Sequence, residues 1–261
     1  MLKPVQLLFD FVTGRSEPVV RDLVPLAAPE KKAPTLPPFQ VIPSPRRRTL
    51  GVEVHRDLRV IVRAPLGCPD DLVRRYLNRQ RRWITRQLDY FKALPPPRPH
   101  PRYVEGEAHL YLGREYQLSL QPERRSQVLI DGERLIVGGI GASDPSVTEA
   151  ALSRWYLARA RLEFVSLLTA CHAHPRFARY GCPALRVRNM RTRWGSLCRA
   201  RGMTLNAVLI QAPRECIEYV IFHELCHLNY HGHGARFYQL LSAVVPEWEA
   251  RKRQLETTIT W

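Results

Sequence analysis

The sequence predicts an α+β protein: an N-terminal antiparallel, curled β-sheet with one helix, followed by a compact core of helices and short strands. Three observations point there. Apolar and polar residues alternate over 49–65, T-L-G-V-E-V-H and then L-R-V-I-V-R-A-P, and again in runs between 109 and 137. Apolar positions recur near helical spacing over 69–92 and 144–173. An H-E-x-x-H pattern, His223 to His227, lies inside a further apolar stretch. Composition sets the expected boundaries: a Pro-rich tail at 1–45, a β-rich part with one helix at 46–143, and the compact core at 144–261.

Residues 1–45 carry P-E-K-K-A-P-T-L-P-P-F and I-P-S-P without sustained periodicity, the composition of a flexible tail. Its one apolar run, Gln6-Leu7-Leu8-Phe9-Asp10-Phe11, loosely resembles short peptides that bind bacterial sliding clamps; docking on its own domain is the alternative. The first alternating segments form a strand pair joined at His55-Arg56-Asp57. Pro69-Asp70-Asp71 opens a helix to about Lys92, with Leu72, Tyr76, Trp83 and Leu88 among its apolar positions and arginines on the rest. After the proline block at 95–101 come H-L-Y-L-G-R-E-Y-Q-L-S-L, then Q-V-L-I and R-L-I-V joined in a hairpin at Asp131-Gly132-Glu133. Asp144-Pro145 starts a long helix to about Ala173, with Ala151, Trp155, Ala158, Leu162, Val165 and Leu168 near helical spacing. Strands at Leu185–Met190 and Met203–Val208 flank a W-G-S turn and lead, past Pro213, into the H-E-x-x-H helix.

Residues four apart sit one turn up on the same helix face, so His223 and His227 can reach one ion at roughly 2.0–2.1 Å. Glu224 lies beside His223, placed to take a proton from an activated water rather than to bind the metal. A third ligand is needed, and two histidines follow. In H-G-H-G, Gly232 and Gly234 surround His233, which suits a chain that leaves one helix, turns sharply and folds back, whereas His231 fits a frayed helix end. The spacing therefore favours His233 over His231. It equals the metzincin spacing, but Tyr230 occupies that family's glycine position and Met1, Met190 and Met203 all precede the motif, so no Met-turn follows.

The ordered set M-R-T-R-W-G-S (190–196), M-T-L-N (203–206), A-P (212–213), E-Y-V (218–220) and H-E-L-C-H-L resembles the YgjP-like family of metal-dependent hydrolases, relatives of the SprT-like zinc metallopeptidases. The resemblance spans about residues 46–256. It implies a zincin-like metallopeptidase core, Zn2+ held by His223, His227 and His233, Glu224 as catalytic base, and Phe237 packing the helix after the third ligand. It also implies a sheet edge beside the cleft, for which 203–209 is the candidate, with Trp194 as a core residue or cleft wall. Two positions depart from the family's usual pattern, Leu197-Cys198 after W-G-S and Glu218 in place of Asp; neither belongs to the metal set.

The expected function is a zinc-dependent hydrolase acting on protein or peptide. A DNA-associated protease or basic nucleic-acid-binding module, and a phosphate-ester or nucleotide hydrolase, are the alternatives. The net charge of +16 and a pI near 10.2 carry the nucleic-acid alternative, with arginines clustered at 46–48, at Arg74, Arg75, Arg79, Arg81, Arg82 and Arg86, and at Arg186, Arg188, Arg191 and Arg193. A solvated basic surface explains the same charge. Six cysteines without a C-x-x-C pair fit reduced thiols, and Cys171, His172, His174 and Cys182 match no standard metal spacing. With no run of 18 apolar residues and no signal-peptide pattern at the start, a cytoplasmic protein without membrane contact is expected.

Overall fold

A computed structural model describes residues 36–259 apart from 97, 191, 192 and 199. The Gln6–Phe11 motif lies outside the described residues. The chain divides into two compact units between Pro95 and Pro96.

The first unit holds strands β1 (Phe39–Ser44), β2 (Gly51–Val54) and β3 (Val60–Pro65) and helix α1 (Asp70–Lys92). The strand order is β1-β3-β2, with β2 antiparallel to β3 and β1 parallel to it, so this sheet is mixed rather than antiparallel. Residues 39–44, which the composition places in the tail, are one of its two edge strands. Pro43 hid the strand in the sequence, yet an edge tolerates a proline because its outward side needs no N–H donor. Val54, Val60 and Val62 of the sheet pack with Val73, Leu77, Ile84 and Phe91 of α1. The buried seam of α1 thus runs beside the predicted one. Leu72 is 44% exposed, while Trp83 and Leu88 flank the seam half-buried. Asp70 and Asp71 in the first turn complement the helix dipole in the absence of a capping side chain.

The second unit begins with β4 (Ala108–Tyr111), β5 (Arg114–Gln121), β6 (Gln127–Asp131) and β7 (Arg134–Gly138), in the order β4-β5-β7-β6. β5 and β7 are parallel and the outer pairs antiparallel, so this sheet too is mixed, correcting the antiparallel expectation. The β6–β7 turn places Gly132 at a φ of +56°. Helix α2 (Pro145–His172) starts at Asp144, whose side chain accepts from the Ser146 N–H at 2.8 Å. Bonds crossing the 143/144 line drawn from sequence explain why β4–β7 belong to this unit. The Tyr156 hydroxyl of α2 donates to the Leu110 carbonyl at 2.8 Å, and the Leu112 N–H after β4 donates to the Ile210 carbonyl at 2.8 Å.

Leu152, Tyr156, Ala160, Phe164, Leu167, Leu168 and Cys171 form the buried face of α2. Leu162 and Val165, expected inside, are 67% and 55% exposed. Apolar residues occur on every side of this helix, with charged ones such as Arg154, Arg159, Arg161 and Glu163 scattered among them, so spacing alone does not choose the face. Packing against the elements that follow does.

Those are β8 (Leu185–Arg188), β9 (Gly195–Cys198), β10 (Gly202–Asn206), a short 3-10 turn (Ala207–Gln211), α3 (Arg214–Cys226), α4 (Ala235–Val244) and α5 (Trp248–Thr258). The small sheet runs β8-β10-β9, with β10 parallel to β8 and antiparallel to β9. The predicted edge segment 203–209 is therefore the central strand and a 3-10 turn. Met203 and Leu205 of β10 are fully buried, and a strand this deep must pair its backbone N–H and C=O groups on both edges. No described helix is long and apolar enough to cross a membrane.

Candidate metal centre

Pro213 stands at the N-cap of α3 with φ −53°, pre-set for the helix that follows. Gly113 makes room for it. At a φ of +80°, a Cβ on Gly113 would lie 2.7 Å from Pro213 Cγ. From there α3 is buried almost throughout, Cys216, Ile217, Val220, Ile221 and Leu225 filling the core around His223 and Glu224. The helix ends at Cys226, so His227 is its C-cap residue rather than an interior one. Its dihedrals remain helical, at φ −69° and ψ −13°, which keeps it one turn above His223.

The chain then turns and α4 begins at Ala235, bringing His233 back over the end of α3. One ligand atom from each of His223, His227 and His233 falls within 4.8 Å of the others, and the Nε2 atoms of His223 and His233 are 3.0 Å apart. His231 is exposed and outside this cluster. The His227 Nδ1 faces the Tyr230 carbonyl at 2.9 Å, a contact that makes Nδ1 the protonated nitrogen and leaves Nε2 able to accept a metal ion. Burial first, then the neighbouring His233 and His227 and Lys252, hold the pKa of His223 well below the ordinary histidine value. Its ring is thus neutral, the form that coordinates metal. Three converging imidazoles without a thiolate could hold a divalent cation and leave a position for water.

Phe237 of α4 floors the cluster. Fully buried, its ring lies 5.0, 4.9 and 4.6 Å from the rings of His223, His227 and His233. Glu224, 4% exposed, sits against β9: a Cβ on Gly195 would lie 2.7 Å from its Oε1 and 2.9 Å from its Cγ. The glycine of W-G-S is what lets the strand approach the carboxylate. Trp194 is 1% exposed, a core residue and not a cleft wall.

Asn206 belongs to the L-N of the resemblance, but no spacing in the sequence marks it as a site residue. Buried at the end of β10, it donates to the carbonyls of Met190 at 2.8 Å and Arg193 at 3.0 Å. Its own carbonyl oxygen accepts from the N–H groups of Met190 and Val208, both at 3.3 Å. It thereby ties the segment before β9 to the 3-10 turn before α3, saturating its hydrogen-bonding capacity.

Among the described residues the three histidines are the one group of metal-binding character. Cys171, His172, His174 and Cys182 do not converge; His172 Nε2 instead lies 3.0 Å from the Tyr180 carbonyl. All six cysteines are free, and burial pushes the thiols of Cys171, Cys216 and Cys226 up to about 12, which keeps them protonated.

No curated protein and no solved structure gives a match to the chain. The family match is extensive, the YgjP-like metallopeptidase domain covering residues 48–258 and so most of both compact units, without β1, together with the histidine cluster. The chain belongs to the YgjP-like family of metal-dependent hydrolases.

Proposed function

We propose that the protein is a zinc-dependent peptidase in which His223, His227 and His233 hold the metal and Glu224 is the general base. The convergence of three imidazoles at the end of a buried helix, with a buried carboxylate on the residue next to His223, carries this reading. Three nitrogen ligands and no thiolate match a catalytic zinc site with one open position, not a closed structural one. Zinc bound there would polarise a scissile carbonyl and lower the pKa of a water to about 7. Glu224 accepts the proton that water gives up and returns it to the departing amine, so one carboxylate serves as base and then as acid. Its low exposure keeps bulk water from competing for that proton.

The strand best placed to receive substrate is β9, an edge of its sheet, because it begins at Gly195 against the Glu224 carboxylate. A peptide added to that edge would run past the base and obtain its register from main-chain hydrogen bonds. The test is Glu224→Gln, measured for zinc content and for cleavage of an unfolded protein. Zinc should remain at one per chain and cleavage should be abolished. Undiminished cleavage by the variant overturns the mechanism.

A further inference from the structure

We propose that the solvent-facing side of α1, extended by the Arg46–Arg48 turn, is a nucleic-acid-binding surface that grips the phosphate backbone. Opposite the seam of Val73, Leu77, Ile84 and Phe91, residues Arg75, Arg79, Arg82 and Arg86 follow i, i+4, i+7, i+11 spacing, and all four are exposed. At a rise of about 1.5 Å per residue they form a line about 16 Å long with steps of about 4.5–6 Å. Each can reach a separate phosphate on a strand whose charges repeat every ~3.4 Å along the axis.

The acidic residues of α1 lie at its two ends. Asp70 pairs with Arg74 at 2.6 Å, Asp71 with Arg75, and Asp89 with Lys92 at 3.9 Å. Arg79, Arg82 and Arg86 have no acidic partner among the described residues, and neither do Arg46, Arg47 and Arg48 in the turn after β1. Arg47 of that turn lies close enough to Tyr76 of α1 for its charge to act on the phenol.

An arginine-rich composition alone would spread its charge along the chain. Instead residues 36–95 carry thirteen Lys and Arg against five Asp and Glu, a net +8 in 60 residues, and the other 201 residues share the remaining +8. The side-chain chemistry selects the partner. Every member of the stripe is arginine, whose planar fork matches phosphate oxygens bidentately. A membrane surface would require apolar side chains beside the charges, and Leu72 is the only large apolar residue of α1 that is exposed.

The experiment is fluorescence anisotropy of the full chain with a labelled oligonucleotide of about 20 nucleotides, single-stranded and duplex, over a salt series. Affinity should fall log-linearly with salt and vary little with base sequence. The triple variant Arg79→Glu, Arg82→Glu, Arg86→Glu should lower the salt slope by about 3 and the affinity by about 100-fold or more. The triple Gln variant, with the wild-type melting temperature, should show a smaller loss in the same direction. No binding at low salt, wild-type binding by both variants, or equal binding to polyglutamate or anionic vesicles overturns the proposal.

Discussion

Gly195 and Glu224 come so close that no side chain fits between them: a Cβ on the glycine would stand 2.7 Å from the carboxylate oxygen Oε1. The strand β9 and the helix α3 therefore share one position in which the backbone of one limits the rotamer of the other. Gly195→Ala should push the carboxylate out of place without touching a histidine. Peptide hydrolysis is expected to fall by about 100-fold, the scale of a misplacement near 1 Å, with metal content unchanged. Paired metal analysis and activity assay check this; full activity in the alanine variant would show that Glu224 tolerates displacement.

Phe237 is a second point where a single side chain serves the whole cluster. Its ring is within 5.0 Å of all three imidazole rings and is fully buried. Phe237→Ala leaves a cavity under the cluster and should cost about 3–5 kcal/mol in urea unfolding. The imidazoles lose their floor as well, so metal affinity should drop alongside stability. Phe237→Leu, which refills part of the cavity, should recover most of the stability.

Which of these relations the sequence discloses depends on how local they are. The histidine cluster is legible because its members fall within one short stretch, where helical spacing and the glycines around His233 leave few ways to converge. The contact of Gly195 with Glu224 and the clamp made by Asn206 join distant segments, and only the W-G-S and L-N motifs hint at them. The same distinction runs through the fold. Helix positions are legible, but α2 carries apolar residues on every side with charges scattered among them, and its buried face is chosen by its neighbours, not by its own spacing. β1 escapes notice because a proline marks an edge strand and a tail equally well. The central place of β10 depends on pairings with β8 and β9 that no local pattern encodes.

Acid should act on the loop before β4 through Glu107. Its burial raises the carboxyl pKa, but the N–H groups of Arg102 and Tyr103 and the neighbouring His109 outweigh that and hold it below the ordinary value. A folded-state pKa lower than the unfolded one gives stability that is present above the unfolded value, near 4.5, and is lost as pH falls through the folded value. Glu107→Gln should be less stable than wild type at neutral pH, and the gap should close on acidification below that value. Thermal melts over a pH series measure it; a gap constant with pH would show that the charge of Glu107 contributes nothing.

The two histidines after α3 give the sharpest test of the metal centre. His233 carries a nitrogen 3.0 Å from His223 Nε2, and its ring lies 4.8 Å from that of His227, whereas His231, two residues earlier, is exposed and outside the cluster. If three imidazoles hold the cation, removing one leaves two protein ligands and a site open to solvent on two sides, which should weaken binding by orders of magnitude. His233→Ala should therefore lose metal in a competition titration with a chelator, as should His227→Ala. His231→Ala should titrate like the wild type, because deleting an exposed ring outside the cluster changes neither the donor set nor the packing of Phe237. All three variants should retain a cooperative thermal transition, which separates metal loss from misfolding. Metal retained by His233→Ala and lost by His231→Ala would reassign the third ligand and require the turn through Gly232 and Gly234 to fold the other way.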